Sequence, residues 1–444
     1  MEKIDGEDKR MELSIRDFAK IQQADIVIDG ITVIAGENNT GKSTVGKILF
    51  SLFNALSDVE EKIFNERMRE LRSSSERIMN EYFDKDADHG GYGKTHFLSN
   101  RIVRSIRGNK NNSIEKIEED IRKELYKYKD SIIYKIDDDL LEEMICKLRE
   151  NIQSFLEIPE EDIILEVVSE YFSKVFSSQT NSLLDKGSHD NPILALKIKN
   201  RQNRLFFQDN RCVKMENEIN IIHKAIYIDN PFVVDELSGN YDGLSTMENE
   251  LKKLILKQNQ RDIFDGVVES VKTKEKLREI SEVLKTVVDG DIIFGQREEI
   301  YLKNDNLNKP LSVHNLSTGI KSFAILKMLL EKGCLKDKDV LILDEPEIHL
   351  HPQWQIVYAQ LIVLLQKNFD LSIIVTTHSP YFVDALDLFS HKYEINKKVN
   401  YYLASNIEEG AIIERVTDNI DLIYKKMASP IQALDTLRHE LNNQ

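Results

Sequence analysis

Residues 36–44 read Gly-Glu-Asn-Asn-Thr-Gly-Lys-Ser-Thr and match the phosphate-binding pattern G-x-x-x-x-G-K-[ST] without a mismatch. Glycine lets backbone N–H groups close around phosphate oxygens, and a helix starting at the loop adds a favourable partial charge. Lys42 would neutralise the β- and γ-phosphates, and the Ser43 hydroxyl would bind Mg²⁺. We therefore predict a nucleotide site with Mg²⁺. Its predicted phosphate-binding residues are Gly36, Asn38, Asn39, Thr40, Gly41, Lys42, Ser43 and Thr44.

A pair of acids follows an apolar run far downstream. Residues 340–343 are all apolar and precede Asp344 and Glu345. This pattern predicts a buried strand whose carboxyl end delivers Asp344 to the ligand crevice of an open α/β sheet. Asp344 would hold Mg²⁺ together with Ser43, and Glu345 would act as the general base that activates water.

Two further segments contain residues that a nucleotide site could use. Leu316-Ser317-Thr318-Gly319 is a polar turn before a helix predicted over 320–330, with Ser317 placed as its N-cap. This turn is either a capped helix and nothing more, or a phosphate-binding edge used by a second protomer. His378 follows a strand predicted over 371–375. A single histidine at a strand end is usually structural, but beside the other motifs we predict that His378 contacts the γ-phosphate.

The surrounding elements must bring these distant motifs together. Strands are predicted at 11–18, 26–28 and 31–35, and residues 55–190 are mostly charged, helix-forming sequence. We predict an α/β fold of the P-loop NTPase type that is split by a largely helical insertion. Residues 1–54 carry the phosphate loop, 55–190 form the insertion, 191–400 carry the remaining motifs, and 401–444 form a strand and helix tail.

Composition narrows the class of protein. The chain has 444 residues and a formal net charge of −16, which argues against coating nucleic acid or an anionic membrane over the whole surface. Cys146, Cys212 and Cys334 have neither disulfide-framework nor zinc spacing, so we expect a reducing compartment. Residues 1–7 lack the apolar core of a secretory signal, and no apolar run is long enough to span a bilayer. We expect a soluble, cytoplasmic protein with no membrane partner.

The order of the motifs resembles the ATP-binding-cassette (ABC) branch of P-loop ATPases. Residues 344–352 read Asp-Glu-Pro-Glu-Ile-His-Leu-His-Pro and resemble the DEPExxLHP form. That form is shared by AAA-type ATPases related to the OLD (overcoming lysogenisation defect) proteins, to the Septu component PtuA and to SMC/Rad50-like repair ATPases. The resemblance covers residues 11–50 and 311–390, a quarter of the chain.

The resemblance implies ATP and Mg²⁺ as ligands, hydrolysis of ATP, and a homodimer or larger homo-oligomer closed around nucleotide. Ser317 and Gly319 would correspond to the signature segment that binds the γ-phosphate held by the opposite subunit. Thr318 replaces the usual glycine, and Ile320-Lys321 replace a Gln or Glu and its neighbour. The glutamine loop of the family has no assigned position, although Gln208 follows a β-like run.

The same resemblance implies a role in bacterial antiphage defence, as sensor or regulator of a separately encoded effector nuclease. The chain shows no acidic set of a TOPRIM nuclease domain and no H-N-H or G-x-S-x-G arrangement. We therefore expect ATP hydrolysis without cleavage of a second substrate.

Several alternatives stay open. A DNA-repair ATPase would show DNA-stimulated turnover, and a non-hydrolysing scaffold would bind ATP without phosphate release. A transporter subunit fits poorly with the long insertion. Basic residues at 101, 104, 107 and 110 form either a solvated helix face or a contact to a nucleic-acid backbone. His349 and His351 could bind a metal but fit a dimer-facing loop better, and Trp354 is predicted to anchor packing.

Overall fold

A computed structural model describes residues 11–82, 91–108, 114–129, 137–181, 191–217, 219–237, 243–256, 277–295, 299–304, 306 and 308–427, together with 434, 436, 438, 440 and 441. The chain divides into two compact units. One comprises Met1–Ser57 and Val168–Gln444, and the other comprises Asp58–Val167, inside the range predicted for the helical insertion.

The larger unit is built on strands. They are β1 (Met11–Phe18), β2 (Ile21–Ile28), β3 (Ile31–Gly36), β4 (Ile193–Ile198), β5 (Arg201–Gln208), β6 (Arg211–Asn217), β7 (Ala225–Ile228), β8 (Asp291–Phe294), β9 (Ile300–Lys303), β10 (Leu311–Ser312), β11 (Val340–Asp344), β12 (Ser372–Thr377), β13 (Val399–Ile407) and β14 (Gly410–Arg415). Eleven of them form one sheet in the order β6-β5-β4-β1-β2-β14-β13-β3-β12-β11-β7, and β10-β9-β8 form a second.

The helices are α1 (Lys42–Leu56), α2 (Val59–Tyr82), α3 (Gly91–Gly108), α4 (Ile114–Lys129), α5 (Asp138–Glu157), α6 (Glu160–Phe176), α7 (Thr246–Leu256), α8 (Thr318–Glu331), α9 (Pro352–Phe369), α10 (Pro380–Lys392) and α11 (Asp421–Met427). A 3₁₀ helix covers Pro231–Leu237. Within the described residues, no helix combines the length and the apolar character that a bilayer crossing needs.

Five neighbouring strands, β7, β11, β12, β3 and β13, run parallel. Every residue of β3 is buried, as are the first four of β11. Near-continuous apolar strands of this kind are needed when both faces of a sheet are covered. Because parallel strands end at one edge, the segments that follow β3, β7, β11 and β12 gather there.

The antiparallel half of the sheet has a different pattern. Buried and half-buried residues alternate along most of β1, which pairs with β2 and β4. Phe18, at the end of β1, packs edge-on against Phe172, Phe176 and Phe207 with ring centroids 5.1–6.0 Å apart. Aromatic edge-to-face contacts add to simple burial, so this cluster fixes the C-terminal part of α6, which belongs to the larger unit, on the sheet.

Helix α1 is attached to the sheet by a reciprocal pair of hydrogen bonds. Asn54 Nδ2 donates to the carbonyl oxygen of Ala225 over 2.8 Å, and Ala225 N donates to Asn54 Oδ1 over 3.2 Å. Both residues are buried, so neither group has water as an alternative partner. This pair fixes the end of α1 at the start of β7.

The smaller unit has its own apolar core from α2, α3, α4 and α5, including Leu71, Met79, Met144 and Leu148. Of the predicted basic face, Arg101 pairs with Glu124 at 3.1 Å and Arg104 is exposed. The side chain at position 107 and residue 110 lie outside the described residues.

Candidate functional site

The loop after β3 has the backbone conformation that phosphate binding requires. Gly41 lies in the left-handed region at φ 83° and is the N-cap of α1. A side chain at Gly36 would place its Cβ 2.4 Å from the carbonyl oxygen of Ala404. The Thr40 hydroxyl donates to the carbonyl of Glu37 over 2.8 Å. Both the first and the last glycine of the loop are therefore required by the backbone, and helix α1 begins directly after the loop.

Lys42 lies inside this loop and is 3% exposed. Its Nζ donates to the carbonyl oxygens of Gly36 and Glu37 over 3.0 and 2.7 Å. The same Nζ lies 3.5 Å from Glu345 Oε1. The lysine therefore connects the glycine-rich loop to the acid at the end of β11.

Ser43 and Asp344 meet directly. Ser43 Oγ donates to Asp344 Oδ1 over 2.9 Å. The Tyr227 hydroxyl, from β7, donates to Asp344 Oδ2 over 2.6 Å, and the Thr376 hydroxyl, from β12, donates to Oδ1. Burial and the charge of Asp344 raise the pKa of Tyr227 well above its ordinary value, so the phenol stays a donor. Three elements thus orient the carboxylate.

Glu345 has an unusual backbone. Its φ is 48°, a left-handed value that is uncommon outside glycine. Its N–H donates to both the carbonyl oxygen and the hydroxyl of Thr376, over 3.1 and 3.0 Å. These bonds hold a strained turn that ends the strand and projects the acid beside Lys42.

His378 follows β12 and lies between two carboxylates. Its Nδ1 is 3.6 Å from Glu345 Oε2 and 3.6 Å from Glu347 Oε1. Its backbone N–H donates to Glu347 Oε1 over 2.9 Å. The structure thus brings Lys42, Ser43, Asp344, Glu345 and His378 to one edge of the sheet.

Ser317 and Gly319 have different surroundings. Ser317 is the N-cap residue of α8, is exposed, and makes no side-chain capping hydrogen bond. Gly319 is buried, and an added Cβ would lie 2.9 Å from the Trp354 ring and 3.1 Å from the carbonyl oxygen of His349. Gly319 therefore serves close packing within the chain, and Ser317 is open to solvent.

The two histidines of the following loop have local contacts. His351 is the N-cap of α9, and its Nδ1 accepts from the N–H of Gln353 over 3.4 Å. The His349 ring lies 6.0 Å from that of Phe232. Trp354 packs edge-on against Phe323.

Two residues at this edge, Tyr227 and Asp229, carry no local sequence signal, and a third, Glu347, lies in the segment 344–352 but has no role predicted from the sequence. Tyr227 lies in β7, which pairs with β11, and Asp229 is the first residue after β7. Glu347 follows the paired acids Asp344 and Glu345. Desolvation and the nearby charge of Asp344 raise the pKa of Asp229 to about 6, although the residue is exposed at the surface, so the shift owes more to the neighbouring acids than to loss of water. Gln208, in contrast, ends β5 in the antiparallel part of the sheet. The pairing of β7 with β11 places Tyr227 and Asp229 at this edge, and that signal is long-range.

The oxygen pair of Ser43 and Asp344 fits Mg²⁺. This hard cation is usually held by one or two carboxylates, waters and substrate phosphates rather than by a protein cage. In the part of the chain that the structure describes, no group of three or more His, Cys, Asp and Glu side chains could hold a metal ion. A site for Mg²⁺ that also depends on nucleotide oxygens is compatible with both observations.

Residues 11–383 match the family described as AAA ATPase domain. The probable ATPase of retron Ec83 from Escherichia coli is 30% identical over 203 residues, which are 39% of this chain and 36% of that relative. A putative ABC transporter ATP-binding protein of Clostridium perfringens is 28% identical over 207 residues, 42% of this chain and 72% of the relative. The chain therefore spans little more than a third of the length of the E. coli relative.

Solved structures of SMC heads are also similar. The SMC head bound to the C-winged helix domain of ScpA aligns with 94% of this chain and 99% of its own, at 12% identity and a TM-score of 0.37. The SMC head domain from Thermotoga maritima aligns with 92% and 99%, at 11% identity and a TM-score of 0.36. The predicted α/β fold of a P-loop ATPase is confirmed, and the chain belongs to the family of AAA ATPase domains.

Proposed function

We propose that this protein binds ATP with Mg²⁺ and hydrolyses it to ADP and phosphate. The observation that carries the proposal is the meeting of Lys42, Ser43, Asp344, Glu345 and His378 at the carboxyl edge of the parallel strands. A lysine, a hydroxyl, a carboxylate pair and an imidazole are the groups that phosphoryl transfer to water uses.

Each side chain has a separate task in this proposal. The Lys42 ammonium binds the β- and γ-phosphate oxygens, in exchange for its bonds to the loop carbonyls. Ser43 and Asp344 hold Mg²⁺, which supplies charge neutralisation when bound. A carboxylate oxygen of Glu345 accepts a proton from water while the water oxygen bonds to the γ-phosphorus and the bond to ADP breaks. His378 hydrogen-bonds the γ-phosphate.

A homodimer or larger homo-oligomer would complete the site. Ser317 lies exposed at the N-terminus of α8, where N–H groups and the helix dipole favour an anion. We propose that Ser317, with Gly319 shaping the turn behind it, contacts the γ-phosphate bound by a second copy. Hydrolysis would remove that shared anion, so the interface would have two states.

The biological role we propose is bacterial antiphage defence in the cytoplasm, as regulator of a separately encoded effector nuclease. The similarity to the probable ATPase of an E. coli retron supports this proposal. Nucleic acid is a further candidate partner, and DNA-stimulated turnover would favour the repair alternative.

The test compares the wild-type protein with Glu345→Gln. We expect the variant to bind ATP and to release no phosphate. In the presence of ATP it should stay in the proposed homo-oligomer, whose mass light scattering would measure. Glu408→Gln, at an exposed position, is the matched control and should behave as wild type. Normal phosphate release by Glu345→Gln would contradict the role of Glu345. Binding without turnover in the wild type would favour the non-hydrolysing scaffold.

A further inference from the structure

Glu347 is an acid that the mechanism above does not use. It lies in the loop after β11 and is 2% exposed. Its Oε1 accepts two hydrogen bonds from the segment that ends β12, one from the Thr377 hydroxyl and one from the N–H of His378. Both donors belong to the residues that place His378 beside Glu345.

The second oxygen of this carboxyl makes the arrangement unusual. Oε2 is buried and has no hydrogen-bond partner among the described residues. A buried carboxyl with one unsatisfied oxygen is costly, since a polar atom without a partner has lost its water. Both bonds from the segment 377–378 go to Oε1, so Oε2 is not needed to link the two loops. An ionised carboxylate makes stronger hydrogen bonds to these two donors than a neutral acceptor would.

The position of the imidazole gives the acid a further task. Nδ1 of His378 is equally far, 3.6 Å, from Oε1 of Glu347 and from Oε2 of Glu345. This distance is too long for a hydrogen bond, so the ring faces both acids without bonding to either. Because Glu347 also binds the backbone N–H of His378, it sets where the ring lies relative to Glu345.

We propose that Glu347 is a positioning residue for ATP hydrolysis, which holds the backbone of His378 through Oε1 and keeps the imidazole beside Glu345. Glu347 touches neither phosphate nor water in this role. It acts through His378, in the way that outer partners orient the ligands of a metal.

The role rests on the proposed ATPase function, and the experiment separates the two. Steady-state ATP turnover is measured for wild type, Glu347→Gln, His378→Ala and the double variant, with Glu408→Gln as the control at an exposed acid. Glu347→Gln keeps an acceptor for both donors but lacks the charge. We expect kcat to fall by about tenfold to 100-fold with KM for ATP little changed, because a misplaced catalytic group affects the chemical step rather than binding.

The double variant decides how Glu347 acts. If it acts through His378, then Glu347→Gln lowers kcat no further once His378 is alanine, because residues that act as a unit are not additive. Equal losses in both backgrounds would overturn the proposal. So would an unchanged kcat in Glu347→Gln while the wild type hydrolyses ATP. Absence of turnover in the wild type would overturn the proposed function, and this role with it.

A second variant covers the outcome in which Glu347→Gln does not fold. Thr377→Val has a similar shape, keeps Glu347, and removes one of the two donors to Oε1. It should lower kcat in the wild-type background and leave it unchanged in His378→Ala. A loss of equal size in both backgrounds would overturn the positioning role.

Discussion

Ser43 and Asp344 are separated by 301 positions in the chain, yet Ser43 Oγ donates to Asp344 Oδ1 over 2.9 Å. The contact joins the first turn of α1 to the end of β11, because β3 and β11 both flank β12 in register. The two oxygens predicted from separate motifs to hold Mg²⁺ are therefore neighbours in the folded chain.

Ser43→Ala should weaken Mg²⁺-dependent ATP binding by roughly tenfold to 100-fold, because one oxygen of the proposed metal site is lost. Binding of a fluorescent ATP analogue, titrated with and without Mg²⁺, measures the effect. Ser43→Thr keeps the hydroxyl and should retain most of the affinity. Equal affinities for Ser43→Ala and wild type in Mg²⁺ would contradict the assignment of Ser43.

Lys42→Ala should lower nucleotide affinity by at least about tenfold, since bonds between charged groups are worth more than neutral ones. The variant also removes the two bonds that tie Nζ to the loop carbonyls, so the loop itself should loosen. Calorimetric titration with ATP measures the affinity. Lys397→Ala, at an exposed lysine, is the control and should bind as wild type. Retained affinity in Lys42→Ala would rule out its phosphate role.

Gly319→Ala tests packing at the start of α8. Alanine normally favours a helix over glycine, but here the new Cβ would lie 2.9 Å from the rigid ring of Trp354. We expect the free energy of unfolding to fall by about 1–3 kcal/mol, as for other overpacked sites. Urea denaturation measures it.

Gly243→Ala is the matched control for that substitution, because nothing lies within 4 Å of an added Cβ there. It should change the free energy of unfolding little. In a Trp354→Leu background the penalty of Gly319→Ala should shrink, because the smaller side chain gives room. An undiminished penalty in that background would show that the indole is not the obstacle.

The pH dependence of stability reports on Glu347. Burial raises the pKa of its carboxyl above the ordinary 4.5, although the bonds from Thr377 and His378 lower it. The folded chain thus keeps this proton to a higher pH than the unfolded chain, and stability falls as pH rises from about 4.5 through the raised value. Glu347→Gln lacks this contribution. The free energy of unfolding of wild type minus that of the variant should therefore decrease as pH rises above about 4.5.

Urea denaturation at a series of pH values measures that difference. Glu408→Gln, at an exposed acid, is the control variant in the same series. Parallel pH profiles for wild type and Glu347→Gln would show that the buried carboxyl has no raised pKa.

The parts of the fold that the sequence predicts well are those set by local pattern. The runs 11–18 and 31–35 are strands, with β3 extending to Gly36, and α8 begins only two residues before the predicted 320. An apolar run before a glycine-rich loop can hardly form anything but a buried strand. In contrast, β2 begins at Ile21 rather than 26, because Gln22, Gln23 and Asp25 interrupt its apolar pattern.

What the sequence does not reveal depends on pairing between distant segments. Tyr227 reaches Asp344 only because β7 registers beside β11, and no local pattern distinguishes that short strand from others. Glu347 belongs to the segment 344–352 that the sequence analysis quotes, but its burial follows from the way the loop folds back onto Thr377. The steric restriction at Gly319 likewise depends on Trp354, which comes after both α8 and β11 in the chain.

The left-handed backbone of Glu345 restricts how this position can change in evolution. A residue at φ 48° is held against its own preference by about 1–3 kcal/mol, and β-branched side chains tolerate that region least. Valine, isoleucine and threonine are thereby strongly disfavoured on steric grounds. Glycine, asparagine and aspartate tolerate this backbone best, so a substitution that keeps the turn is limited to few residue types.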